Sequence, residues 1–208
     1  NNEIKGFVET IPKVYKRMIL FGTWANHFYA IDSQTGRIKW DWNNEYKNRM
    51  LSPAACVPVA FHNRVYLVSP DNKMTCLNAE TGAVVWQSKF KGKRVRESMG
   101  VSCDSTLIYA KTMEGNIIGV QTSTTEGKIV WNAGMNTGYD IAPSVISEYD
   151  GKVFIPSDKG MVYAVDRNTG KMLWAHRISS CLINQILPVD KHTVICTSMD
   201  GVITRLFY

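Results

Sequence analysis

The sequence predicts an all-β fold, a β-propeller of four-stranded antiparallel blades, on three observations. First, Trp40, Trp86, Trp131 and Trp174 recur at intervals of 46, 45 and 43 residues, each closing a related stretch: DSQTGRIKW from Asp32, NAETGAVVW from Asn78, TTEGKIVW from Thr124 and DRNTGKMLW from Asp166. Second, the pairs Ala25-Asn26, Asp71-Asn72, Glu114-Gly115, Lys159-Gly160 and Asp200-Gly201 keep the same spacing. Third, the runs between these markers are short, β-branched and aromatic, with no helical period to compete. Two independent markers on one period of about 45 residues, with strand patterning, signify propeller blades.

Within each repeat the first strand follows a Pro or small-residue start, as at Phe7 to Pro12, Ser52 to Cys56 and Ala142 to Ile146. The second is a β-branched or aromatic run: Met18 to Phe21, Val65 to Val68, Leu107 to Ala110, Val153 to Ile155, Val194 to Cys196. A hydroxyl closes it (Thr23, Ser69, Thr112, Ser157, Ser198), placed to bond the tight turn that follows. The third strand carries a small residue four positions after the turn marker, Ala30, Cys76, Gly119 and Ala164, with Arg205 breaking the column. Gly36, Gly82, Gly127 and Gly170 supply positive φ in the hairpin leading to the fourth strand. That strand carries the Trp, which is expected to wedge between neighbouring blades, because a residue present in every unit serves the unit.

The blades are expected at residues 7–42, 49–88, 96–133, 139–176 and 181–208 of a single partial propeller, about four and a half to five in all. Tyr208 follows a third strand, so the last blade lacks its own fourth. Three arrangements satisfy the exposed edges this implies. The chain is a segment of a larger propeller, or it closes as five blades through its N-terminal residues, or it closes on another copy as a homo-oligomer. Asn1 is not an initiator Met, so either a leader was removed or this is a piece of a longer chain.

Composition is ordinary for a globular chain: 45% hydrophobic and 20% charged over 208 residues, with formal net charge +6. No apolar stretch is long enough for a transmembrane segment. The five cysteines lie far apart without C-x-x-C spacing, which reads as buried thiols rather than a disulfide framework.

At this point the residues resemble a known family. Ala164 to Trp174 (AVDRNTGKMLW) and Ala30 to Trp40 (AIDSQTGRIKW) match the A-x-D-x-x-T-G-x-x-x-W signature of PQQ-like β-propeller repeats, and Cys76 to Trp86 and Gly119 to Trp131 are degenerate copies. The family includes quinoprotein dehydrogenases, the outer-membrane assembly lipoprotein BamB, receptor-kinase sensor domains and propellers attached to catalytic domains. The resemblance implies periplasm or cell envelope, but fold alone does not select among these functions.

Catalytic signals are weak. The quinoproteins of this family bind PQQ with Ca²⁺, and several carry an adjacent Cys pair, which this chain lacks. His27 is expected on a strand, and His62, His176 and His192 in loops, without metal-ligand spacing. The expectation is therefore no catalytic residue, no metal and no cofactor: a scaffold for a protein partner or attached domain. Alternatives are a ligand-sensing domain, a quinoprotein-type dehydrogenase, or the accessory domain of an attached hydrolase.

Connections after the second and fourth strands of a blade emerge on one face. That places Lys47, Lys73, Lys91, Lys93 and Arg94 on a common basic face. Segments running inward to the next blade bring Arg49, Arg96, Glu97, Tyr139, Asp140, Asn184 and Gln185 towards the channel mouth, a place for an anionic small molecule or acidic protein segment. Nucleic acid is not expected, since few aromatics interleave with these basic residues.

Overall fold

The computed structural model describes residues 3–43, 56–69, 71–122, 125–138 and 144–208, apart from the side chains of Glu97 and Ser98. Every regular element in it is a strand. The chain divides into two compact units, Asn1–Glu97 with Ser123–Gly127, and Ser98–Thr122 with Lys128–Tyr208.

The first unit holds two four-stranded antiparallel blades. One runs β1 (Lys13–Tyr15), β2 (Met18–Gly22), β3 (His27–Asp32), β4 (Ile38–Asn43); the other β5 (Val59–Phe61), β6 (Arg64–Val68), β7 (Met74–Asn78), β8 (Val84–Gln87). Phe7 to Pro12 are not a strand: β1 starts after Pro12 and β5 after Pro58. Proline has no N–H for the ladder, so pairing begins one residue later than its apolar neighbours suggest. The core is built by alternation, with Leu20, Phe28, Ala30, Val65, Leu67, Met74, Cys76 and Leu77 fully buried.

The second unit contains most of the sheet formed by β9 (Val95–Val101), β10 (Leu107–Thr112), β11 (Asn116–Thr122) and β12 (Gly127–Gly134). It also holds the blade β13 (Ser147–Tyr149), β14 (Lys152–Pro156), β15 (Met161–Asp166), β16 (Met172–Arg177), and the three-stranded sheet β17 (Ile183–Asp190), β18 (Thr193–Ser198), β19 (Ile203–Phe207). Two apolar clusters bind consecutive sheets: Leu107, Tyr109, Trp131, Ile146, Val153 and Ile155 in one, and Phe154, Val162, Ile183, Ile186, Val194 and Cys196 in the other. His176, expected in a loop, lies in β16.

The turn between second and third strands is the same in all five sheets. Asn26, Asn72, Gly115, Gly160 and Gly201 have φ of 64°, 61°, 74°, 72° and 79°. The preceding hydroxyls bond into it, as where Met161 N donates to Ser157 Oγ at 2.9 Å and Ser69 Oγ donates to Lys73 O at 3.1 Å. Asn tolerates left-handed backbone better than other side-chain-bearing residues, which explains the Asn/Gly column.

Register explains the column of small residues. Ala30 pairs with Trp40, Cys76 with Trp86 and Ala164 with Trp174, each followed by a one-residue register shift. Gly119 lies against the Trp131 ring so closely that a Cβ there would collide with it. The small residue is the seat of the indole on the neighbouring strand. Three of those indoles are almost wholly buried: Trp40 at 8%, Trp86 at 6% and Trp131 at 6% exposed.

The fourth-strand hairpin is a second use of the signature. Gly36, Gly82 and Gly170 have φ of 68°, 71° and 69°. Asp32, Asn78 and Asp166 accept the amides two and three residues on, as at Thr35 N, 2.8 Å, and Thr169 N, 2.9 Å. Gly127 departs from this expectation. Its repeat is two residues longer before the Trp, and Gly127 opens strand β12 instead of turning the chain.

Candidate binding surface

The segment between β8 and β9 carries the basic cluster. Ser88 N donates to Met74 O at 2.8 Å, and Val95 N donates to Asn72 O at 2.8 Å, so both ends are anchored beside β7 and its turn. Between them Gly92 (φ 66°) reverses the chain, and Lys93 N donates to Phe90 O at 3.2 Å. This holds Lys93 and Arg94 next to the turn bearing Lys73. Lys73 is itself paired with Asp71 at 2.6 Å. Burial opposes the Asp71 charge, yet bonds from Lys73 and Ser69 prevail and keep that carboxyl below its ordinary range. Lys73 is therefore a compensated cation. Lys89, Lys91 and Lys93 make no ion pair among the described residues.

Beside this loop a cleft of about 390 Å³ is lined by Trp86, Gln87, Ser88, Lys89, Phe90, Thr125, Glu126 and Gly127. It offers an aromatic floor, amide and hydroxyl groups, one lysine and one carboxylate, that of Glu126. Such a lining suits an extended polar segment better than an apolar ligand.

Of the residues expected at a channel mouth, Arg49, Tyr139 and Asp140 lie outside the described residues, as do the Glu97 side chain and Lys47 of the expected basic face. Arg96 is buried, 2% exposed, in the first unit. Asn184 and Gln185 are exposed on β17 in the second unit.

Two polar arrangements were not legible from the sequence. Arg167 bonds Asp104 and reaches Glu148 at 3.7 Å, while Tyr109 Oη donates to Glu148 Oε2 at 2.6 Å. The Arg167 bond, with hydroxyls of Thr106 and Ser102, pulls the Asp104 carboxyl well below its usual range. Burial, with the Glu148 charge, pushes the Tyr109 phenol far up. These groups join consecutive repeats. In the first unit His27 Nδ1 meets Asp41 Oδ1 at 2.7 Å and its Nε2 meets Asn43 Nδ2 at 3.0 Å. Both ring nitrogens are hydrogen-bonded within the same blade, which fixes the orientation of the ring.

Among the described residues no group of three or more His, Cys, Asp or Glu is placed to hold a metal, and no helix is long and apolar enough to cross a membrane. All five cysteines are free thiols.

Repeated four-stranded antiparallel blades, with an indole seated on a small residue, define a propeller of PQQ-like repeats. A family profile described as outer membrane protein assembly factor BamB matches residues 1–112, 41–179 and 114–206, and the chain belongs to that family. It is 28% identical over 193 residues to the outer membrane protein assembly factor BamB of Yersinia pestis, covering 86% of this chain and 46% of that protein. Against BamB of Burkholderia pseudomallei it is 28% identical over 127 residues, 61% of this chain and 31% of that protein. The chain thus spans less than half the length of these relatives. The crystal structure of BamB from Moraxella catarrhalis superposes with a TM-score of 0.75 at 17% identity, covering all of this chain and 60% of that one. The computationally designed Ika8 protein superposes with a TM-score of 0.76 at 12% identity, covering 95% and 57%.

Proposed function

We propose that this chain is a non-catalytic, protein-binding propeller scaffold of the cell envelope, and that the loop of residues 88–94 is its contact surface for an acidic segment of a partner. The relatives are named as outer membrane protein assembly factors, which supports both the compartment and the scaffold role. The observation that carries the surface is the set Lys89, Lys91 and Lys93 on a loop anchored at both ends, making no ion pair among the described residues, beside the cleft lined by Trp86, Phe90 and Glu126. Lys89 and Lys91 are exposed and Lys93 is half-buried; like charges on an anchored loop attract an oppositely charged partner and add little to folding.

The test is titration of the chain with an oligoglutamate peptide, followed by tryptophan fluorescence at two salt concentrations. Binding weakens with salt, and the triple variant K89E/K91E/K93E abolishes it. Undiminished binding by that variant removes the surface. Addition of PQQ and Ca²⁺ with alcohol or sugar substrates gives no dye reduction, whereas turnover would make the chain a quinoprotein.

A further inference from the structure

Among the described residues, Trp86 is without the receptor that Trp40 and Trp131 each find in the following repeat. Trp40 Nε1 donates to Ala79 O at 2.8 Å and Trp131 Nε1 to Arg167 O at 2.7 Å. Each ring also lies against the turn glycine of that repeat, Gly82 or Gly170. By the same rule the hairpin after Trp86 would hold its ring. That repeat, however, takes twelve residues from Gly119 to Trp131, where Ala30 to Trp40, Cys76 to Trp86 and Ala164 to Trp174 take ten. Gly127 accordingly opens β12 and does not turn the chain.

Trp86 is nonetheless fixed. Cys76 stands across from it in the ladder of β7 and β8, and the Tyr66 ring packs at 5.9 Å between centroids. Its Nε1 is buried and has no hydrogen-bond partner among the described residues. Such a donor has given up water without an acceptor in return, so an acceptor brought to it gains more than one at an exposed site. The cleft of about 390 Å³ lies here, lined by Trp86 and Phe90 together with Thr125, Glu126 and Gly127, which take the place of the receptor hairpin in the sequence. Its other polar groups are turned to β7: Gln87 Nε2 donates to Thr75 Oγ1 at 3.1 Å, and Ser88 Oγ accepts from Met74 N at 2.9 Å. Lys89 and Glu126 balance each other among the described lining residues, so a neutral acceptor suits the cleft better than a carboxylate.

We infer that this cleft receives a glycine-containing turn of a partner polypeptide, whose backbone carbonyl accepts from Trp86 Nε1 while the glycine lies flat against the ring. The chain itself supplies the template, since Gly82 with Ala79 O, and Gly170 with Arg167 O, are what the two equivalent indoles hold. The inference rests on the scaffold reading in taking its occupant from a protein partner, but not on the lysines of the neighbouring loop.

The probe is a hairpin peptide copied from residues 165–172, VDRNTGKM, closed head to tail through D-Pro-Gly so that its turn is preformed. Titrated into ¹⁵N-labelled chain, it binds and moves one indole N–H resonance, that of Trp86, assigned by its loss in Trp86→Phe. Trp86→Phe, shown to fold by far-UV circular dichroism, binds the peptide about fivefold more weakly, the usual effect of one hydrogen bond. The same peptide with Ala for its Gly binds wild-type chain about fivefold or more weakly, because a Cβ there meets the ring as it would at Gly82 and Gly170. K91E/K93E does not weaken peptide binding, and Trp86→Phe leaves oligoglutamate binding unchanged, so failure of the loop and failure of the cleft are read separately. The proposal is overturned if the peptide moves no indole resonance or that of another tryptophan, if Trp86→Phe binds it as tightly as wild type, if the Ala peptide binds as tightly as the Gly peptide, or if K91E/K93E abolishes its binding.

Discussion

The indole of Trp40 lies across Gly82, the turn glycine of the following repeat: a Cβ on Gly82 would stand 2.7 Å from Cδ2 of the ring. From that position Trp40 Nε1 donates to Ala79 O at 2.8 Å. Trp131 repeats the arrangement with Gly170, whose Cβ would meet Cε3 at 2.5 Å, and with Arg167 O at 2.7 Å. The glycine of the Thr-Gly signature thus meets two demands, a left-handed turn and a flat surface for the preceding indole.

The two demands can be separated by substitution. Gly36 and Gly82 have almost the same φ, but a Cβ on Gly36 meets nothing within 4 Å. Gly36→Ala costs only the left-handed strain, about 1–2 kcal/mol. Gly82→Ala adds overpacking against the ring, about 1–3 kcal/mol more. Urea unfolding of the pair measures the difference, and equal losses would show that the indole contact is energetically idle.

Removal of an indole N–H should matter only where it is bonded. Trp131→Phe leaves Arg167 O without its donor and loses ring contact, whereas Trp86 Nε1 has no hydrogen-bond partner among the described residues. Trp131→Phe is expected to be about 1 kcal/mol more destabilising than Trp86→Phe. Chemical denaturation of both variants checks this, and the reverse order argues against the bond.

Acid should weaken the Asp104–Arg167 contact in a defined window. The carboxyl is held low chiefly by Arg167, so the contribution is fully present above the ordinary unfolded Asp value of about 3.9 and fades as pH falls below it. Asp104→Asn lowers the melting temperature at pH 7 and flattens its decline below about pH 4. Parallel pH profiles for wild type and variant would place the acid sensitivity elsewhere.

Thiol chemistry offers a check on the core. Burial raises Cys76 to about 12 and Cys196 to about 11, and it also raises Cys103 despite that residue's exposure. In native protein at pH 8 a thiol reagent reacts first with half-exposed Cys181, then Cys103, and last with buried Cys56, Cys76 and Cys196. Unfolding releases all five. Rapid native labelling of Cys76 or Cys196, located by peptide mapping, would contradict the packing of β7 or β18.

Much of the fold is readable from the repeat because its causes are local. Asp32, Thr35 and Gly36 make their turn with one another, and the same turn returns at Asn78 and Asp166. The small-residue column is visible too, but its reason emerges only when register sets Ala30 across from Trp40. Longer-range features leave no pattern. Arg167 meets Asp104 across 63 positions, and neither neighbourhood announces the other. Gly127 misleads because two inserted residues move it from turn to strand. The residues expected at the channel mouth follow no sequence period, and Arg49, Tyr139 and Asp140 lie outside the described residues. Lys73 looked like one more surface cation, and only the geometry shows Asp71 answering it.

The contact that Trp40 and Trp131 each make with the next repeat's turn is directional, with the ring on one side and its glycine-carbonyl receptor on the other. A stretch of sequence carrying both halves can be duplicated in tandem, and every new junction arrives with its fastening already made. Lineages built this way can change repeat number by simple copying, while individual surface loops diverge without disturbing the joints.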